Sequence, residues 1–240
     1  MSVIYEPKGA AREYSELACN LYIGCEHGCK YCYVPGIPPY KYKPNPRDTF
    51  HSKSEPRKDI LKLVEKDASK LKGTEKEILL CFTCDPYQVG RDNSVTTQAL
   101  EIFRFYGLNI QILTKGGKAA IMDFPLMQSM GAKFATTLCF TDDVTRQEWE
   151  PKAASVADRI ESIKYAHFMG IDTWVSIEPV IDPAQALQLI ESLSNEVDFW
   201  KVGKLNHVTN DTDWGQFYRD VTKLLEGKPH MIKDALLAYK

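Results

Sequence analysis

No stretch of the chain approaches the ~18 consecutive apolar residues that a bilayer-spanning helix requires, so no membrane segment is expected. Residues 1–11 lack the apolar core of a secretory signal. Charge bias is also missing: 30 basic residues against 32 acidic ones leave a net charge of −2. A protein whose main partner is duplex nucleic acid is usually basic, because phosphate contacts dominate that affinity. Low-complexity tracts and linker-like segments are absent too. The cysteines are seven, an odd number, and three of them fall within eight residues. That distribution does not suit a disulfide framework and suits metal binding in a reducing compartment. A cytoplasmic location is therefore expected. At 240 residues, 44% hydrophobic and 26% charged, the chain is long enough to bury one full core and ordinary for a globular domain.

What is present is a repeated strand–helix pattern. At Gly107, Gly131 and Gly170 a helical stretch stops at glycine, which suits the left-handed position after a helix end. A β-rich run follows within about two residues. The pattern predicts strands near 17–24, 77–83, 108–114, 132–140, 172–178 and 197–203. Helices are predicted near 55–72, 93–106, 118–130 (broken or kinked by Pro125), 155–169, 183–194 and 213–226. Residues 1–16 read as an N-terminal extension, and 228–240 as a tail able to hold a short strand and a terminal helix. Six such units argue for a parallel sheet with right-handed crossovers in one α/β domain covering 1–240. An open sheet and a barrel are not distinguished by this pattern.

The most informative segment is Cys25-Glu-His-Gly-Cys29-Lys-Tyr-Cys32, which follows the first strand. Three thiolates on one loop can converge on a metal centre. A cubane [4Fe–4S] cluster usually takes four cysteines, so three would leave one iron open for a small molecule. The alternative is a Cys3His zinc site that recruits His27, as in a non-catalytic module binding RNA or a protein partner. His27 lies between two of the cysteines, where local geometry is tight.

The C-x3-C-x-aromatic-C spacing resembles the signature of radical S-adenosylmethionine (SAM) enzymes. The longer string from Asn20 to Tyr33, Asn-Leu-Tyr-Ile-Gly-Cys-Glu-His-Gly-Cys-Lys-Tyr-Cys-Tyr, resembles the branch related to spore photoproduct lyase and similar DNA-repair proteins. The resemblance implies a partial (β/α)6 TIM-type barrel with chemistry at the carboxyl ends of the strands. It implies Cys25, Cys29 and Cys32 as ligands of a [4Fe–4S] cluster. SAM would be cleaved reductively to a 5′-deoxyadenosyl radical that abstracts hydrogen from a substrate, with a reductant such as flavodoxin or ferredoxin as partner. A nucleic acid or nucleotide lesion is the leading substrate class, in a lyase-like reaction; a peptide or small molecule stays open.

Site candidates follow strand by strand. Tyr31 takes the family's adenine-flanking position, or simply packs the loop. The family's Gly-Gly-Glu after strand 2 is missing; Cys81-Phe-Thr-Cys-Asp-Pro-Tyr-Gln88 stands there instead. Thr83 and Asp85 could accept hydrogen bonds from the SAM ammonium, or Asp85 could cap its own loop. Thr114 and Lys115 match the branch at the end of strand 3, where Lys115 could meet a carboxylate or phosphate. Arg159 either grips the SAM carboxylate or pairs with Glu150. Glu178, a carboxylate among apolar neighbours, needs a partner and could bind the SAM ribose. Lys204, Asn206 and His207 are substrate-side candidates. Cys84 and Cys139 are hydrogen-donor candidates, since spore photoproduct lyase uses a cysteine for that step. Cys81 and Cys84, three apart, would point to opposite faces of a strand and read as small buried side chains. The Tyr-, Pro- and Lys-rich stretch 33–47 could stack bases or cover the cluster.

Overall fold

The computed structural model describes residues 2–206 and 211–240. The strands are β1 (Ile4–Tyr5), β2 (Leu17–Cys19), β3 (Tyr22–Ile23), β4 (Glu55–Pro56), β5 (Glu77–Leu80), β6 (Asn109–Thr114), β7 (Lys133–Thr137), β8 (Thr173–Val180), β9 (Phe199–Lys204) and β10 (His230–Ile232). The helices are α1 (Pro46–His51), α2 (Ile60–Leu71), α3 (Ser94–Tyr106), α4 (Phe124–Met130), α5 (Asp143–Trp149), α6 (Val156–Phe168), α7 (Pro183–Ser192), α8 (Trp214–Leu224) and α9 (Asp234–Leu237). Eight strands form one sheet in the order β1-β2-β5-β6-β7-β8-β9-β10. Every neighbouring pair is parallel except β1 against β2. The result is the parallel α/β sheet that the strand–helix count implied, in the partial-barrel form that the resemblance implied, open between β1 and β10.

The tail holds the short strand and terminal helix expected of it, β10 pairing with β9 as a seventh parallel strand. Two features differ from the expected pattern. Residues 1–16 contribute β1. The strand expected over 17–24 is interrupted at Asn20-Leu21: β2 belongs to the main sheet and β3 pairs with β4 in a separate two-stranded sheet. The cause is the Asn20 side chain, whose Oδ1 accepts from the backbone N–H groups of Phe82 and Thr83, both at 2.8 Å. An amide turned toward those groups ends the ladder there.

Alternation along the strands sorts two layers. Ile78, Leu80, Ile112, Phe134, Val175, Ile177 and Val202 join the helices in the main core. Each such fully buried side chain contributes on the order of 1.5–3 kcal/mol. Leu79, Ala135 and Trp174 lie on the concave face with Tyr14, Phe82, Leu113 and Phe199. Gly107 and Gly131 stand in the left-handed conformation at the ends of α3 and α4, so the β-runs behind them start on time. Among the described residues no helix is long and apolar enough to cross a membrane.

Candidate metal centre at the carboxyl ends of the strands

The cysteine loop follows β2 and β3 and is fixed at both ends by backbone. Gly24 has φ +81°, and a Cβ there would lie 2.0 Å from the Lys53 carbonyl oxygen. Cys25 N–H donates to the Phe50 carbonyl at 3.3 Å. Farther along, Lys30 N–H donates to the Trp149 carbonyl at 2.8 Å, and Lys152 N–H to that of His27 at 3.1 Å. Arg47 donates to the carbonyls of Cys29 at 2.8 Å and Cys32 at 3.3 Å. The loop is thus clamped between α1 and the segment after α5, on one end of the sheet.

All three cysteines are free; Cys29 is buried, while Cys25 and Cys32 are partly exposed. Burial pushes Cys29 up and Cys32 to about 11, so both remain thiols until a cation favours the thiolate. Burial also acts on Cys25, but the neighbouring His27 outweighs it and holds that thiol below its ordinary value. Among the described residues no three His, Cys, Asp or Glu side chains converge to hold a single ion. Three free thiols on a backbone-fixed loop are a donor set that fits an iron–sulfur cluster, in which each thiolate would meet a different iron.

Asp85 lies in the loop after β5 and touches three segments. Its carboxylate accepts from Tyr87 N–H at 2.9 Å, Lys115 N–H at 2.8 Å and the Thr114 hydroxyl. His27 Nδ1 stands 3.4 Å away. Burial would raise Asp85, but His27 and these donors hold it below the usual carboxylate range. Burial would likewise lower His27, yet Asp85 and Cys25 raise it to about 10. The loop-capping role considered for Asp85 is thus occupied. Thr114 is committed as well, donating to Asp85 and accepting from Gly116 N–H at 2.8 Å. Thr83 is held by its backbone to Asn20 and stays half-buried.

A second charged group sits under the cysteine loop. Arg159 Nη2 lies 2.6 Å from Glu150 Oε2, with side-chain exposures of 1% and 0%. Arg159 also donates to the carbonyls of Ala154 and Thr137, each at 3.0 Å. Of its two expected partners, Glu150 is the one the geometry supplies within the chain. Burial pushes Glu150 up, but Arg159 and Lys115 bring it below its ordinary value. The Tyr31 hydroxyl donates to Glu150 Oε1, and the Lys115 ammonium stands 5.6 Å from the centroid of the Tyr31 ring. Cys139 is buried in the same neighbourhood; burial and Glu150 push its thiol up.

Glu178 lies toward the end of β8. Its Oε2 accepts from the Tyr14 hydroxyl and stands 3.1 Å from Lys233 Nζ. The partner that a carboxylate here needed is thus supplied by the two ends of the chain. Tyr14 reaches it because residues 9–14 cross the concave face. Lys201 donates to the Tyr14 carbonyl at 3.1 Å and stands 4.0 Å from the Trp174 ring centroid. Lys204 packs instead over Trp214 and Tyr239, 5.4 Å from each ring centroid. Asn206 is exposed, and His207 lies outside the described residues. The expectation that Cys81 and Cys84 lie on a strand is corrected: β5 ends at Leu80, and both cysteines fall in the loop after it.

The structure therefore gathers Cys25, Cys29, Cys32, Tyr31, Lys115, Asp85 and Cys139 around one end of the sheet, and sets Glu178 beside Tyr14 and Lys233. Tyr14, Lys201 and Lys233 carry no motif in the sequence. Gln88 was visible only as the last residue of the Asp-Pro-Tyr-Gln run.

No family model matches the sequence, and no curated protein matches it. Solved structures do share its fold. Streptococcus suis SuiB bound to S-adenosylmethionine superposes with a TM-score of 0.70 at 12% identity, over 92% of this chain and 51% of SuiB. A spore photoproduct lyase variant gives 0.69 at 12% identity, over 95% of this chain and 78% of that one. Spore photoproduct lyase complexed with dinucleoside spore photoproduct gives 0.61 at 14%, over 93% and 64%. The chain thus spans about half the length of SuiB, and at these identities the likeness is one of fold.

Proposed function

We propose that this chain is a radical SAM enzyme with one [4Fe–4S] cluster on Cys25, Cys29 and Cys32, acting in the cytoplasm. One observation carries the proposal: a backbone-clamped loop with the C-x3-C-x-aromatic-C spacing stands at the carboxyl end of the first parallel strand, in a fold shared with a protein crystallised with SAM. A cluster held by Cys25, Cys29 and Cys32 would, with bound SAM and an external electron donor, supply reductive cleavage of the sulfonium and hydrogen abstraction from the substrate. The chain's own groups bind, orient and exclude water. The Lys115 ammonium faces the Tyr31 ring and has no salt bridge among the described residues, so we assign it to an anionic group of the cofactor. Tyr31, locked by its hydroxyl on Glu150, offers a ring of fixed orientation beside the cysteines. Arg159, Asp85 and Thr114 act through protein partners, holding the loops that present these groups. Glu178, with 18% of its side chain exposed, and the backbone-held Thr83 remain direct contacts in the proposal. Cys139 and Cys84 are the candidate hydrogen donors, Cys139 being placed beside Lys115 and Glu150.

For the substrate we propose a nucleic acid or nucleotide lesion, in a lyase-like reaction, with electrons from a flavodoxin- or ferredoxin-type donor. Residues 30–58 support this class: they hold seven Lys or Arg against Asp48 and Glu55, a surplus of five in a chain that is −2 overall. Most of that segment is exposed, including Tyr33 and Tyr42, and phosphate contact with aromatic stacking is what single strands require.

The test uses anaerobically reconstituted protein. Iron and sulfide are quantified, then dithionite and SAM are added and 5′-deoxyadenosine is measured. The expected result is a coloured, cluster-bearing protein that releases the nucleoside, faster with a lesion-bearing oligonucleotide than with a peptide. Colourless protein holding stoichiometric zinc and leaving SAM intact overturns the proposal in favour of a zinc-bound interaction module.

A further inference from the structure

The three sulfurs of the cysteine run are unequally surrounded, and Cys25 is served by a side chain from another strand's loop. Gln88 Nε2 lies 3.6 Å from Cys25 Sγ and donates to the Asp85 carbonyl at 3.3 Å. Its Oε1 accepts from Glu26 N–H at 2.9 Å. These partners fix which way the amide points. Reversing it would set its oxygen against a carbonyl and a sulfur, and its NH2 against a backbone donor. The side chain is also immobile: Gln88 is 2% exposed, and its backbone is tied to Asn93 through bonds of 2.9 and 3.2 Å. Glu26, next to Cys25, is held in turn by Arg91 at 2.5 Å and Ser54 N–H at 3.1 Å. A buried, oriented donor therefore faces the first cysteine sulfur from the loop after β5, where the family's Gly-Gly-Glu is missing.

We propose that Gln88 is a positioning residue for the metal centre: its amide N–H holds Cys25 Sγ in place and stabilises the more negative, reduced form of the cluster. The inference rests on the reading that the three cysteines hold an iron–sulfur cluster. A hydrogen bond to an anionic acceptor is roughly twice as strong as a neutral one, and hydrogen bonds to the sulfurs are among the terms that set a cluster's potential. Gln88 touches no substrate, so its effect appears at the metal.

The experiment compares the reconstituted full chain with its Gln88→Met and Gln88→Glu variants. Iron and sulfide per chain are measured first, then the midpoint potential by EPR-monitored titration. Gln88→Met keeps the length and removes the donor. It should hold a cluster whose equilibrium constant for reduction is about tenfold smaller, a shift of about 59 mV to more negative potential for one electron. Gln88→Glu still accepts from Glu26 N–H but turns an acceptor toward the sulfur, and its potential should fall further. Either variant that folds and loads suffices, so failure of one to assemble leaves the other decisive. Cluster-bearing variants with the parent's midpoint and EPR line shape overturn this inference and leave the proposed function standing. Parent protein that assembles no cluster overturns both.

Discussion

Replacing Arg159 by Met should cost the fold about 3 kcal/mol. In the native protein its guanidinium lies 2.6 Å from Glu150 with both side chains out of solvent, and it satisfies two further carbonyls at 3.0 Å. Removing one member of a buried pair usually costs roughly 3–5 kcal/mol, because the charge left behind has neither water nor a partner. Here the lower end applies: Tyr31 still donates to Glu150, and Lys115 remains near enough to favour its charged form. In a chain of this size about 1 kcal/mol moves the melting temperature by about 2–4 °C, so a drop of about 6–12 °C is expected. Urea unfolding and thermal melts of the anaerobically purified protein measure it. Glu150→Met added to Arg159→Met should recover part of the loss, since the orphaned charge is then gone. A loss under about 1 kcal/mol would refute the assignment. Unchanged stability with abolished SAM binding would return Arg159 to a cofactor-gripping role.

Alanine at Cys25, Cys29 or Cys32 should each abolish the iron–sulfur absorption, while Cys19→Ala and Cys84→Ala keep full iron and sulfide content; loss of iron in either of the latter pair would show that the ligand set is misassigned. Gly24→Ala should cost about 2 kcal/mol or more and lower cluster loading, because its Cβ would sit 2.0 Å from a backbone oxygen at φ +81°; a parent-like melt and iron content would refute the clamp. Lys201 supplies the pH prediction. Burial lowers it from 10.5 to about 8, so between those values the unfolded chain binds more protons and stability must rise with pH. Relative to Lys201→Met, the parent should gain up to about 3 kcal/mol across that window, and parallel pH profiles of the two proteins would sink the reasoning.

The elements were legible where local chemistry and tertiary context agree. Five of the six expected barrel strands appear close to their predicted bounds, because each follows a helix stopped by glycine or a short polar loop. The exception is instructive. The run from Leu17 to Gly24 is apolar enough for a single strand, and it is broken by the Asn20 side chain, whose partners Phe82 and Thr83 lie 62 and 63 residues away. The same distance problem hid Tyr14. Nothing in residues 9–14 announces that they will cross the concave face, since Gln111, Ser176, Lys201 and Glu178, which receive Tyr14, come from three different strands. The cysteine run, by contrast, is a local pattern and needed no context. What the pattern left open at Asp85 and Arg159 is which protein groups they meet, and those partners come from other loops.

Those partners tie the loops at this end of the sheet to one another. Asp85 reaches His27 in the cysteine loop, Tyr87 in its own loop and Lys115 at the end of β6. Ala154 N–H closes the circuit by donating to the Lys115 carbonyl at 3.0 Å, and Lys152 returns it to His27. One buried carboxylate thus ties the loops after β2, β5 and β6 to the segment that carries Glu150. Each loop alone is too short to fix its side chains, and their shared hydrogen bonds do it for all of them. A change at any member should therefore be felt first as altered placement of the cysteine run, and only through it as altered chemistry. Tertiary support of this kind lets short loops hold a site whose parts no local motif specifies.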